Sequence, residues 1–480
     1  MFNNFMKKLK KPSSLSREDV CRLLKIHPEA MNMFEQEYEK TILAVGKDAV
    51  ASREEIETTY SKEEVAYATE LEDRIVKELK AKTRGYVYNG IYGLYIEDDE
   101  DDGDDGDITN YVTKEEINKL PKGLRPQLTG TMMALSCTNN SSSAVLWYYK
   151  KYLEAKNEKD KVFFYHHFRQ GLDVLDYDKI LYEIISTNKN SIGYWFPQLV
   201  EAVRRQSFFK LPKTRIIQVP MQILQMTRLD YLLLTQTTKN IINKYCHDVF
   251  ELDDSKDYFV KTGTYSSKFD FRNTHVRGEK EVQELGEYLL FIHSDANNMA
   301  SPLNTPSIYG MSTTTEWCVR EFIYDKEHNP TIYKGLPLHT EYRVFVDFDD
   351  FEILGISPYW RPDVMLNRFL KGNDKDKPDM KHDYVIYKIH QDEMMAKYNA
   401  NKNEILKQIS RLMTTMTMHG QWSIDIMQNG DDFWIIDMAL ANTSALNDCV
   451  EKGKLKKVTE DWIPVLPEKF EDVKTGDFCL

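Results

Sequence analysis

Residues 422–446 read WSIDIMQNGDDFWIIDMALANTSAL. Two apolar runs, 424–427 and 433–438, flank Asn429-Gly430, a dipeptide that closes tight hairpins because both residues tolerate positive φ. The runs should therefore pair antiparallel. Each carries one carboxylate among apolar neighbours, Asp425 and Asp437, 12 positions apart. Buried carboxylates on paired strands repel one another unless a cation lies between them. Two solutions are open. A hard cation such as Mg2+ takes oxygen ligands and keeps coordination for water and phosphate. Alternatively, one aspartate pairs with a lysine or arginine of the same cleft.

Four segments further upstream carry the other polar groups that such a cleft would need. HTEYRVFVDFDDFEILGISPYW (339–360) reads as a hairpin with Arg343 alternating among apolar residues, and a guanidinium on a strand offers planar, bidentate donors for phosphate. WCVREFIY (317–324) is an apolar strand interrupted by Arg320-Glu321. Where it leaves the sheet, Glu321, Phe322 and Ile323 can present backbone groups to a purine edge. DYFVKTGTYSSKFD (257–270) brings a strand to Lys261 and then a small hydroxylated loop with Lys268, either a polar surface hairpin or a phosphate cradle. KLPKTRII (210–217) places Lys213 ahead of a β-branched run.

Composition sets the frame. The 480 residues suggest two or three domains, and 41% hydrophobic content suffices for a sizeable core. A net charge of −13 argues against general nucleic-acid binding but allows a local basic cleft on an acidic body. The six cysteines contain no CxxC pair, which predicts reduced thiols and a cytoplasmic protein. No run reaches the roughly 18 apolar residues of a membrane span. The basic start MFNNFMKKLKKPSSLSRED lacks the apolar stretch of a signal peptide.

The pattern over 1–204 is mainly helical. It is broken by an aromatic, glycine-punctuated piece at 85–96 and by EDDEDDGDDGD at 97–107. That tract has Asp98, Glu100, Asp102 and Gly103 at early calcium-loop positions, but Thr109 stands where the closing Glu belongs. Nine acidic residues in eleven predict a solvated, mobile loop that can be deleted with little loss of nucleotide binding. From 205 to 450 short β-rich runs alternate with helices, an α+β texture, and 451–480 reads as a tail. Walker, GxGxxG, HExxH and GxSxG signatures are absent.

Two lysines, an arginine, a β linker and a carboxylate pair in this order resemble the ATP-grasp superfamily. Within it, LPKTRII, TEYRVFV with ILGIS, and FWIID stand in the order seen in the assembly chaperones of eukaryotic translation initiation factor 2. The likeness covers roughly 208–446 and nothing in 1–204. It implies two α+β subdomains sandwiching ATP. Lys213, Lys261, Lys268 and Arg343 would lie on phosphates, the purine against Glu321, Phe322 and Ile323, and Mg2+ on Asp425 and Asp437. The family's asparagine two positions beyond the second acid is Ala439 here, so Asn442 is the expected third ligand. Superfamily members commonly phosphorylate a carboxylate to an acyl phosphate that an amine or other nucleophile then attacks. The resemblance thus implies an ATP-dependent carboxylate–amine ligase acting on a peptide or protein, with Arg343 and Lys261 stabilising the transferring phosphoryl group. The alternatives are a non-catalytic ATP-binding assembly chaperone and a phosphotransferase.

Overall fold

The expected hairpin forms the middle of a five-stranded sheet. β12 (Gln421–Asn429) and β13 (Asp432–Leu440) pair antiparallel, with Asp425 opposite Asp437 and a bulge after Asp425. The two-residue connection is Gly430-Asp431, one position beyond the expected dipeptide, and it needs Gly430, whose φ is +63°. β10 (Thr340–Asp347) and β11 (Glu352–Pro358) extend one side and β3 (Phe209–Lys210) the other, giving the order β11-β10-β12-β13-β3. A second sheet runs β4-β7-β5-β6, from Thr214–Gln218, Glu316–Glu321, Tyr258–Thr262 and His275–Val276. Two small hairpins complete the strands: β1 (Gly85–Asn89) with β2 (Gly93–Glu97), and β8 (Thr331–Ile332) with β9 (Leu336–Pro337). The aromatic piece at 85–96 is thus β-hairpin in character.

The structure is a computed structural model. It describes residues 16–23, 27–33, 35–36, 39, 56, 58–81, 83, 85–89, 93–97, 112–126, 141–157, 160–161, 164, 168, 188–220, 223–224, 227, 234–300, 314–371 and 378–456. The acidic run beyond Glu97, residues 1–15 of the basic start, and 457–480 in the tail lie outside the described residues. The helices used below are α1 (Arg17–Leu23), α2 (Lys62–Ala81), α3 (Lys114–Lys119), α4 (Ser141–Glu154), α5 (Ile192–Val203), α6 (Gln236–Val249), α7 (Gly278–Gln283), α8 (Leu285–Ala300), α9 (Pro362–Leu366) and α10 (Pro378–Met413). No described helix is long and apolar enough to cross a membrane.

Leu71, Ile75 and Leu79 recur every fourth residue of α2 and are fully buried. At about 1.5–3 kcal/mol per buried side chain, that stripe fixes α2 to its neighbours. The neighbours are α6, through Ile241, Ile242 and Tyr245, and α8, together with Ile217, Val260 and Val319 of the four-stranded sheet. The second core joins Ile192, Phe196, Leu199 and Val203 of α5 to Ile405, Ile409 and Leu412 of α10 and the inner face of the five-stranded sheet. Both cores therefore draw side chains from either side of residue 205.

The loop after β5 is fastened to α5. The Ile192 N–H donates to the Gly263 carbonyl (2.9 Å), and the Gly263 N–H donates to the Glu316 carbonyl (2.8 Å). The Glu316 carboxylate in turn accepts from Ser191 Oγ (2.5 Å) and the Gly193 N–H (2.7 Å). A Cβ on Gly263 would collide with Ser191 Oγ and Thr314 Oγ1. Gly263→Ala is expected to cost about 1–3 kcal/mol, the range for overpacking a close contact, read from the urea midpoint. An unchanged midpoint would show that this loop is loosely held.

Candidate nucleotide-binding cleft

Between the two sheets lies an open cleft. Phe259, Lys261, Arg320, Glu321, Phe322 and Ile323 form one wall, and Glu341, Met427, Ile436 and Asp437 the other. The lining interleaves apolar side chains (Phe259, Phe322, Ile323, Met427 and Ile436) with charged ones.

Lys261 is 2% exposed and donates to Asp437 Oδ1 across the sheets at 3.1 Å. Asp437 keeps 42% of its side-chain surface open, toward the cleft. Burial works against its ionisation, yet Lys261, Arg320 and Lys268 hold its carboxyl below the ordinary value. Arg343 grips Asp425 bidentately, Nε to Oδ1 at 2.7 Å and Nη2 to Oδ2 at 2.6 Å, and its Nη1 donates to the Ala445 carbonyl. The aspartates share one face of the hairpin because the bulge after Asp425 shifts the register by one residue, and cations from two other strands satisfy both. The charge repulsion that suggested a bridging metal is met by ion pairs.

Lys268 also lines the cleft, and its ammonium sits 4.1 Å from the ring centre of Tyr359. Burial opposes its charge, but Tyr359, Glu341 and Asp425 raise its pKa. Ser266 lines the same space. Lys213, by contrast, stands at the rim with 48% exposure, 3.5 Å from Glu321, and is outside the lining. Glu321 pairs more closely with Lys256, at 2.7 Å. Although burial opposes it, that lysine lowers the Glu321 pKa. The Glu321 N–H donates to the Lys213 carbonyl and the Phe322 N–H to the Asp257 carbonyl. Two of the three amides expected to meet a purine are therefore engaged, leaving the Ile323 amide and the segment's carbonyls for that role. Asn442 sits in the single turn Ala441–Thr443 and does not line the cleft.

Two cleft residues escape the sequence reading. Arg320 is 5% exposed and donates through Nη1 to the Ile436 carbonyl at 2.6 Å; the Cys318 thiol and the Phe196 ring, its centre 5.8 Å away, neighbour the guanidinium, and Nε and Nη2 are buried without an oxygen or nitrogen partner. Its signal was present in the charged pair interrupting an apolar strand: neighbours in a strand face opposite ways, so one of Arg320 and Glu321 had to point inward. Glu341 is 6% exposed; Oε1 accepts from Trp360 Nε1 at 3.2 Å, and Oε2 is buried without a partner.

Burial lifts Glu341 from 4.5 to about 7, with Lys268 opposing. Below pH 4.5 the group is protonated folded or unfolded, and its stabilising contribution is fully present; that contribution is lost as pH climbs through 7, where the folded chain must ionise a buried carboxyl. Glu341→Gln is therefore expected to raise the unfolding free energy at pH 8 by on the order of 2 kcal/mol and to change little at pH 4. Equal effects at both pH values would refute the raised pKa.

Among the described residues, the metal-type cluster is a different one: Asp325, Glu327 and His339, with ligand atoms within 4.8 Å of one another. Its groups are partly engaged, Oε2 of Glu327 being buried without a hydrogen-bond partner. Asp325 accepts from the Glu327 and Asn329 amides, and Glu327 pairs with Lys397 at 2.8 Å.

No protein-family model matches the chain, and no curated protein does. Among solved structures it is similar to a C-terminally truncated Cdc123 from Schizosaccharomyces pombe, at 15% identity and a TM-score of 0.31, covering 54% of this chain and 89% of that one. It is also similar to Cdc123 from the same organism at 13% identity and a TM-score of 0.33, covering 57% and 95%. Likeness at this level bears on neither family nor function.

Proposed function

We propose that the cleft binds ATP with Mg2+ and that the protein is an ATP-binding factor for a protein partner. The observation that carries the nucleotide reading is Arg320, buried with two guanidinium nitrogens unpartnered, beside Lys261 and Lys268. Unpaired buried donors are costly, and an anion relieves them. Near neutral pH, four cations (Lys261, Lys268, Arg320 and Arg343) meet Asp425 and Asp437, with Glu341 close to its midpoint. This is a local positive excess on an acidic chain. A polyphosphate suits these cations, and a purine suits the apolar side chains of the lining.

The donor set also fits a magnesium ion. Asp437 faces the cleft and Asp425 lies opposite it in register, so these two would hold the ion. When bound, it would neutralise phosphate charge. Lys261 and Arg320 orient phosphates from one sheet, and Lys268 closes over them from the loop beyond β5.

Two observations favour binding over ligation. Arg343 is committed to Asp425 by two short bonds, and the turn bearing Asn442 stands outside the cleft, leaving no third side-chain ligand after β13 among the described residues. The motif order resembling assembly chaperones agrees. A second reading, ATP-dependent carboxylate–amine ligation, rests on the Lys268–Tyr359–Arg343 stack, which could receive a carboxylate. ADP release decides between them. The binding reading expects tight ATP with turnover below about one per hour, whereas stimulation by a peptide or amine to the roughly 1 s⁻¹ scale of ordinary enzymes would establish the ligase.

A further inference from the structure

We propose that Asp325, Glu327 and His339 hold a divalent transition-metal ion of the zinc class, at a site separate from the Asp425–Asp437 pair. The inference does not rest on the nucleotide reading. One ligand atom from each of the three residues lies within 4.8 Å of the others. Asp325 and Glu327 come from the loop between β7 and β8, and His339 stands just ahead of β10. His339 is 4% exposed, and its Nδ1 faces Asp325 Oδ1 at 3.8 Å. The ring is also hydrogen-bonded to the Gln428 backbone, the kind of outer contact that fixes a ligating imidazole. An imidazole beside carboxylates selects zinc or its neighbours over Mg2+ and Ca2+, which prefer oxygen alone.

An unmet bond and an unmet charge point to the ion. Glu327 Oε1 takes Lys397 at 2.8 Å, but Oε2 is buried without a hydrogen-bond partner, a costly state for an anionic oxygen. Burial opposes the charge of Glu327, yet Lys397 and the Gly430 amide hold its carboxyl below the ordinary value. Glu393 shares the same lysine at 2.8 Å. Near neutral pH three carboxylates thus meet one ammonium, and burial keeps the His339 ring neutral by lowering its pKa. A divalent cation balances the two charges left over. Asn329 completes the set. Its Nδ2 lies 3.1 Å from Asp325 Oδ1 and 3.3 Å from His339 Nδ1, and its Oδ1 lies 3.1 Å from His390 Nε2. Turned over, the amide would offer Oδ1 as a fourth ligand while Nδ2 donates to His390 Nε2. The His390 proton then sits on Nδ1, which is 3.5 Å from Glu393. The metal takes over the two contacts that the amide gives up. Bound there, it would pin the loop after β7 to β10 and, through His390, to α10.

The test titrates the full chain, stripped of metal by a chelator and kept reduced, with zinc chloride in the absence of nucleotide. Calorimetry is expected to show one zinc ion per chain, accompanied by a rise in melting temperature. Asp325→Asn and Glu327→Gln keep the shape and remove a charged ligand. Each should weaken zinc at least about 100-fold, beyond the roughly 10- to 100-fold that outer partners cost. Cobalt in place of zinc should show the visible bands of nitrogen and oxygen ligands without a thiolate charge-transfer band. No zinc binding, a thiolate band, or displacement of zinc by equimolar Mg2+ or Ca2+ overturns the assignment. So does zinc binding that survives both substitutions, or that is lost in Asp437→Asn instead. Should either variant fail to fold, His390→Ala decides. Zinc binding about 10- to 100-fold weaker is expected there, and unchanged affinity overturns the site.

Discussion

Asp425→Ala is expected to lower the unfolding free energy by about 3–5 kcal/mol, the cost of leaving one member of a buried ion pair alone. Both partners are shielded: side-chain exposure is 12% for Arg343 and 5% for Asp425. Removing the carboxylate leaves a guanidinium with the Ala445 carbonyl as its remaining hydrogen-bonded partner. Loss of charge and loss of shape can be separated. The double variant Arg343→Met/Asp425→Leu should recover most of the loss, since a packed apolar pair often matches a buried ion pair. Urea unfolding of the single and double variants checks this. A single-variant loss under about 1 kcal/mol would mean that water screens the pair. The same variant bears on magnesium, because Asp425 is one of the two carboxylates that would hold it.

Lys261→Ala is expected to weaken ATP binding by about 1.5–3 kcal/mol, roughly 10- to 150-fold. Lys261 is an inward cation on β5, and its present partner is Asp437. Under the proposed function, phosphates take over this lysine, and Asp437, released from it, turns to magnesium. Magnesium and ATP should then help each other bind, and that mutual effect should shrink in Lys261→Ala. Lys213→Ala is the contrasting case. Its half-exposed ammonium at the rim should contribute under about 1 kcal/mol, as exposed charges do. Equal losses from the two variants would contradict the assignment of Lys261 to the inside and Lys213 to the edge.

The two lysines also show what a sequence reveals and where it falls silent. That Lys261 ends an apolar run was legible, and so was a hairpin turn near 429–430, because both follow from local periodicity and turn chemistry; that Asp425 stands opposite Asp437 was not, since the Gly430-Asp431 connection alone would set Ile436 there and the bulge after Asp425 shifts the register by one. Which cation meets which aspartate was not legible. Lys261 and Asp437 lie 176 positions apart, and Arg343 and Asp425 lie 82 apart; both pairings arise only when the sheets come together. Arg320 and Glu341 were hidden for a related reason. Strand alternation says that one neighbour points inward but not toward what, and a buried group lacking a partner can be recognised only once its surroundings are known. The division near 205 followed a change of texture, from helical periods to short β runs. Cores form by complementary faces and not by texture, so Leu71 and Ile75 pack with Ile241, and Phe196 in the core of the five-stranded sheet.

Arg320 gives the most direct test that the cleft is a nucleotide site. Calorimetric titration with magnesium–ATP should show one site per chain, weakened at least about tenfold in Arg320→Met, whose apolar side chain preserves the packing while removing the two unpartnered donors. An unmodified chain that gives no binding heat and no rise in melting temperature at millimolar ATP, or an Arg320→Met variant that binds with unchanged affinity, would contradict a nucleotide site in this cleft.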